Sequence, residues 1–131
     1  MSKRIPELAG IPTPRAPYSH AVAAGNLLFV SGQVALKRDG SGPLKGGTLE
    51  QEARLVLDNL KAVLEAAGSS LDQVVKVVAF LANMDDFGAF NQVYKEYFPA
   101  NAPARSCIQA GRLPFDFQVE VEAIAVLPSG A

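Results

Sequence analysis

The sequence predicts an α+β domain in which a mixed sheet carries two helices on one face. Three observations predict it. The chain has 131 residues, 49% of them hydrophobic, enough for one core and too few for two domains of ordinary size. An amphipathic run with its own start and stop signals covers residues 49–67. Strand-like runs flank it and a second, shorter helical run, in the order β-β-α-β-α-β-β.

Each element has a local reason. Residues 1–17 hold Pro6, Pro12, Pro14 and Pro17, which forbid regular helix and suggest an arm laid over the surface of the single domain 1–131. Tyr18–Ala24 and Leu27–Ser31 flank Gly25-Asn26 and read as a hairpin, with further strand to about Leu36. The stretch Lys37–Gly47 has five glycines and prolines but neither GxGxxG nor GxxxxGK[ST] spacing. It reads as a mobile turn rather than a phosphate cradle. Thr48 and Gln51 fit a capping box. Leu49, Ala53, Val56, Leu57, Leu60, Val63, Leu64 and Ala67 then recur at helical spacing, and Gly68 suits the stop. Val74–Leu81, apolar and β-branched around Lys76, reads as a central strand covered on both faces. Asp85 or Asp86 can cap a second helix that Pro99 ends. Arg105–Ala110 and Phe117–Leu127 read as a closing hairpin joined by Gly111–Asp116.

Composition excludes several classes of function. Twelve Lys+Arg against 13 Asp+Glu give a net charge of −1 and no basic stripe, so nucleic acid is not expected as the main ligand. No apolar run reaches the ~20 residues that cross a bilayer, and the first residues lack the apolar core of a signal peptide. One cysteine and one histidine allow neither an internal disulfide nor a Cys/His zinc site. No metal is expected, and the default compartment is the cytosol. Charged residues are 19%, below the usual quarter, a first sign of self-association.

Polar residues on the apolar elements are the candidate site. On the second helix Asn91 falls about 40° from Phe87, within the stripe of Phe87, Phe90, Tyr94 and Phe98. It is either an edge residue bonded to backbone or water, or aimed into a pocket. Arg105, Cys107 and Gln109 share one strand face. Glu120 and Glu122 share a face opposite Val119, Val121 and Ala123, which suits either a solvated sheet face or a cleft. If Arg105 and Glu120 lie on the face away from the helices, neighbouring chains could cover part of it, and such a cleft would hold a cation, a carboxylate and an amide. That set suits a small anion that must exchange a proton. Cys107 is either a small half-buried hydrophobe or a nucleophile, for which His20 is the only histidine base.

Pro17-Tyr18-Ser19, Ser31-Gly32-Gln33, Pro103-Ala104-Arg105-Ser106-Cys107, Leu113-Pro114 and Val119-Glu120-Val121-Glu122-Ala123 stand in an order and at intervals that resemble the RidA/YjgF family of enamine/imine deaminases. The resemblance covers the chain from about Tyr18 onward. It implies a chorismate-mutase-like subunit of the bacillus type, assembled as a homotrimer with active sites between subunits. It implies hydrolysis of 2-aminoacrylate and related intermediates, released by pyridoxal-phosphate enzymes, to 2-oxo acids and ammonia without metal or organic cofactor. Arg105 falls on the arginine that binds the substrate carboxylate, and Glu120 on the glutamate that helps activate water. Tyr18, Ser31 with Gly32, Asn91 and Cys107 fall on pocket-lining positions. His20 stands where the family more often has Gln, and Phe115 where it commonly has Lys. Alternatives are a non-catalytic trimer that binds a metabolite or protein, a ribonuclease or translation inhibitor, and a chorismate-mutase-type isomerase. The last would need more cations than Arg105 and the nearby Arg112 provide.

Overall fold

The computed structural model describes residues 2–128. Its main sheet has six strands: β1 (Lys3–Arg4), β2 (Ala21–Ala24), β3 (Leu27–Gln33), β6 (Val74–Leu81), β7 (Ala104–Gln109) and β8 (Val119–Val126). Their order across the sheet is β1-β2-β3-β8-β6-β7. Two helices, α1 (Leu49–Ala66) and α2 (Phe87–Tyr97), complete the α+β architecture. Strands β4 (Leu36–Lys37) and β5 (Gly42–Pro43) form a separate small hairpin.

Alternation decides which sheet face the helices cover. Val77, Ala79 and Leu81 of β6 and Val119, Val121, Ala123 and Ala125 of β8 are buried, and they pack with Val56, Leu57, Leu60 and Leu64 of α1 in one core. The capping box at Thr48 forms as the sequence predicts, with the Thr48 side chain accepting from the Gln51 backbone N–H and the Gln51 side chain accepting from that of Thr48. The opposite sheet face is open in the single chain. Phe29, Val75 and Ile108 are each more than 40% exposed on or beside it. A central strand covered on both faces is therefore not what a single subunit has: β6 is buried on one side only.

Three other expectations change. The two last strands are not a hairpin, because β6 lies between them, antiparallel to β8 and parallel to β7. The first hairpin begins at Ala21, leaving Tyr18 to His20 in the arm. The stretch expected as a mobile turn contains the β4–β5 hairpin, in which Lys37 pairs with Gly42 and Gly40 and Gly42 stand at positive φ. The arm itself is tied down: Lys3–Arg4 adds to the sheet edge at Ala23 and Ala24, and the Arg4 guanidinium donates to the Gly25 carbonyl at 2.9 Å.

One buried carboxylate ties α1 to β8. Glu52, 6% exposed, accepts from the backbone N–H groups of Gln118 at 2.6 Å and Val119 at 2.7 Å. These bonds fix the start of β8 one residue before Glu120. Glu52→Ala is expected to cost about 3 kcal/mol, two charge-assisted bonds lost and two donors left in the core. Urea unfolding at one fixed protein concentration checks it. A loss below about 1 kcal/mol would mean that water replaces the carboxylate.

Candidate functional site

Two separate clusters hold the residues singled out from the sequence. The first sits at the β7 edge of the sheet, on the helix side. Arg105 pairs in register with Val77 and Cys107 with Ala79, whose side chains are buried under the helices. The Arg105 guanidinium lies over three rings of α2: Tyr94 at 4.6 Å, Phe87 at 5.6 Å and Phe90 at 5.8 Å from the ring centroids. Such a platform holds a cation by the ring quadrupoles while leaving its N–H fork free. Among the described residues Arg105 has no carboxylate partner. Asn91, half-buried, stands on the same helical stripe, four residues after Phe87 and three before Tyr94. The Tyr94 ring is buried, and burial pushes its hydroxyl up to about 12, so it stays protonated.

The second cluster lies on the open face and the adjoining arm. Val30 opposes Ala123 and Gln33 opposes Val121, so Ser31 and Gly32 together face the one residue Glu122, a β-bulge. The bulge brings the Gly32 backbone against the Glu120 carboxylate. A Cβ on Gly32 would overlap Glu120 Oε2 and approach its Cδ to 2.8 Å, so a larger residue here would push the Glu120 carboxylate out of this position. Burial pushes the Glu120 carboxyl up, and the Glu122 charge adds to the shift, which moves Glu120 toward the range where a carboxylate can take a proton and return it. The Ser31 hydroxyl donates to the Ser19 carbonyl at 2.6 Å and its N–H to the His20 carbonyl at 2.9 Å. These bonds set the segment that carries Tyr18, which is 46% exposed and edge-on to His20.

Arg105 and Glu120 thus lie on opposite faces of one sheet, and the cleft expected from placing both on the face away from the helices does not exist within a chain. Arg105 is on the helix side because β7 runs parallel to β6, a pairing that the sequence reading replaced by a hairpin with β8. The structure joins Arg105 with Cys107 and Asn91, and Glu120 with Gly32, Ser31 and Tyr18. No rigid-body motion inside one subunit can merge the two groups through the core that separates them.

Within one chain the thiol has no histidine base. His20 adjoins β2 and Cys107 lies on β7, four strand intervals away at about 4.8 Å each, roughly 19 Å in all. Burial pushes the Cys107 thiol up, more than the nearby Arg105 charge lowers it. The neutral thiol is therefore favoured over the thiolate. Alkylation of Cys107 by iodoacetamide is therefore expected to be slow at neutral pH and to accelerate with pH beyond the ordinary thiol range. A rate already at its plateau near pH 7 would contradict this environment.

Three contributors escaped the sequence reading. Glu52 is one of two acids in the first turn of α1 and carries no local signal of its long-range bonds. The aromatic stripe of α2 read as core, whereas it also seats Arg105. The imidazole of His20 donates from Nε2 to the Pro12 carbonyl at 2.9 Å, and its Nδ1 accepts from Gln33 Nε2 at 3.4 Å, pinning the arm to β3. Only the i, i+3, i+7 spacing of Phe87, Phe90 and Tyr94 carried a signal.

A mixed sheet with two helices on one face, a bulge glycine under a strand carboxylate and an edge arginine on a helix platform define a chorismate-mutase-like α+β subunit. The chain belongs to the YjgF/RidA family: the family model described as Endoribonuclease L-PSP matches residues 9–127. It is 45% identical over 130 residues to a RutC family protein of Synechocystis, covering 98% of this chain and all of that one. It is 44% identical over 115 residues to the 2-iminobutanoate/2-iminopropanoate deaminase of Mus musculus, covering 88% and 84% of the two chains. Among solved structures it superposes on E. coli TdcF with bound serine with a TM-score of 0.84, at 38% identity, over 94% of this chain and 98% of that one.

Proposed function

We propose that this protein hydrolyses 2-aminoacrylate-type enamine/imine carboxylates to 2-oxo acids and ammonia, at sites formed between the copies of a homotrimer. The observation that carries the reading is Arg105: an unpaired guanidinium fork held on three rings at a sheet edge suits a substrate carboxylate. The deaminase name of the mouse relative supports the reaction class. The separation of Arg105 from Glu120 supports the assembly, because an exposed apolar sheet face bearing Glu120 in one copy can receive the β7 edge of the next.

The chemistry follows from that juxtaposition. The enamine tautomerises to the imine, and Arg105 fixes its carboxylate by two parallel bonds. Glu120 of the adjacent copy takes a proton from water as the oxygen attacks the imine carbon, and returns it to the imine nitrogen. The carbinolamine then collapses: Glu120 takes the hydroxyl proton as the C=O bond forms and passes it to the amino nitrogen, which leaves as ammonia. Asn91, Tyr18, Ser31 and the Gly32 backbone line the cleft. Cys107 lines it too, as a neutral thiol. No step calls for a metal or organic cofactor. The compartment that goes with this reading is the cytosol.

The test couples the purified protein to a pyridoxal-phosphate dehydratase acting on serine or threonine and follows 2-oxo acid formation. Acceleration above the spontaneous rate is expected, and none at micromolar protein would overturn the reading.

A further inference from the structure

A pocket of about 450 Å³ opens beside Gly32. Its walls come from the arm, Tyr18 with His20, Gly32 to Val34, the β4–β5 hairpin, Asn59 and Val63 of α1, and Phe115 in the turn before β8. It is far larger than the methyl or ethyl side chain of a short 2-imino acid needs, and falls in the range of pockets that hold whole organic ligands. Its walls are built rather than loose. The arm is pinned by the His20–Pro12 bond on one side and by the Ile11–Leu8 turn on the other. The hairpin is held by Asn59 of α1, whose amide donates to the Val34 and Leu36 carbonyls at 2.9 and 2.8 Å.

The lining is mainly apolar, and its charges have one sign. Arg15, Lys37 and Arg38 line it, while no aspartate or glutamate does. Among the described residues none of the three forms an ion pair. The nearest acid of the hairpin, Asp39, is engaged by the Ser41 backbone N–H at 2.8 Å. Phe115 closes one side with a ring 68% exposed, from a left-handed backbone (φ 56°) that a non-glycine residue seldom adopts. Gly32 belongs both to this pocket and to the notch that receives Glu120, so the pocket and the proposed reaction centre share a wall.

We infer that the pocket is a side-chain subsite, and that it favours 2-imino acids whose long side chain ends in a carboxylate. This deepens the deaminase reading and rests on it. The apolar walls take the methylene chain, and Lys37, Arg38 and Arg15 meet the distal anion at the rim. His20 and Phe115, which both line the pocket, are then residues that set the substrate class through its shape. His20 fixes the arm and Phe115 forms the lip.

The test compares imines generated in place by an amino-acid oxidase from glutamate and 2-aminoadipate with that from norleucine. Wild type is expected to prefer the acidic imines in kcat/KM. The ratio of acidic to neutral is expected to fall about tenfold in the double variant Lys37→Gln, Arg38→Gln, since each rim pair contributes modestly. An unchanged ratio, or no acidic preference in wild type, overturns the subsite. If even the short imines are not hydrolysed, the deaminase reading fails separately. Calorimetry with 2-oxoadipate and with 2-oxohexanoate then decides the pocket: tighter binding of the dicarboxylate that is lost in the double variant upholds it, and equal binding in both proteins overturns it.

Discussion

Arg105→Ala is expected to reduce imine deamination by several hundredfold or more while the protein stays assembled. Two charge-assisted bonds to a carboxylate contribute about 1.5–3 kcal/mol each, and alanine removes both. The surroundings offer no substitute: the rings of Phe87, Phe90 and Tyr94 beneath the guanidinium carry no donor directed at an anion other than the Tyr94 hydroxyl, which is buried. Arg105→Lys keeps the charge but loses the planar fork and most of the stacking, so only a small remainder of activity is expected. Calorimetry should find small 2-oxo carboxylates binding to wild type and not to Arg105→Ala. Equal binding to both would remove Arg105 as the anchor. Light scattering accompanies the assay, so that loss of assembly is distinguished from loss of the anchor.

Mixing two dead variants is expected to restore activity. Arg105→Ala leaves a copy with a sound Glu120 face, and Glu120→Gln leaves one with a sound Arg105 edge. If each site takes Arg105 from one copy and Glu120 from the next, a random trimer unfolded and refolded from equal parts has about a quarter of its sites intact. Each variant alone remains near background, so the recovery is large against its controls. Continued silence of the mixture, with mixed trimers shown by mass spectrometry of differently tagged chains, would mean that both groups act within one copy. The sheet argues against that outcome, since Val77 and Ala79, partners of Arg105 and Cys107, face the helices while Phe80, partner of Glu120, faces away.

Local signals in the sequence determined a good deal of this protein. The Thr48–Gln51 capping box and the apolar spacing after it define α1 almost to the residue, because both depend on contacts within a few positions. Alternation on 105–109 and 119–126 correctly separates Arg105 and Cys107 from Ser106, and Glu120 from Val119, because a strand's side-chain period is fixed by its backbone. The motifs around Tyr18, Ser31, Arg105 and Glu120 suffice to place the chain in its family.

Strand neighbours were decided only by the tertiary structure. Alternation says which residues share a face of their own strand, and nothing about which face of the sheet that becomes. The crossover through α2 inserts β6 between β7 and β8 and turns Arg105 toward the helices. That single pairing puts Arg105 and Glu120 on opposite faces of the sheet rather than on one. Long-range polar contacts were equally invisible: Glu52 reaches Gln118 and Val119, 66 and 67 residues away, and His20 reaches Pro12 and Gln33 across an arm with no regular structure. Such bonds leave no period in the sequence, because each depends on where two distant segments meet once the core has closed.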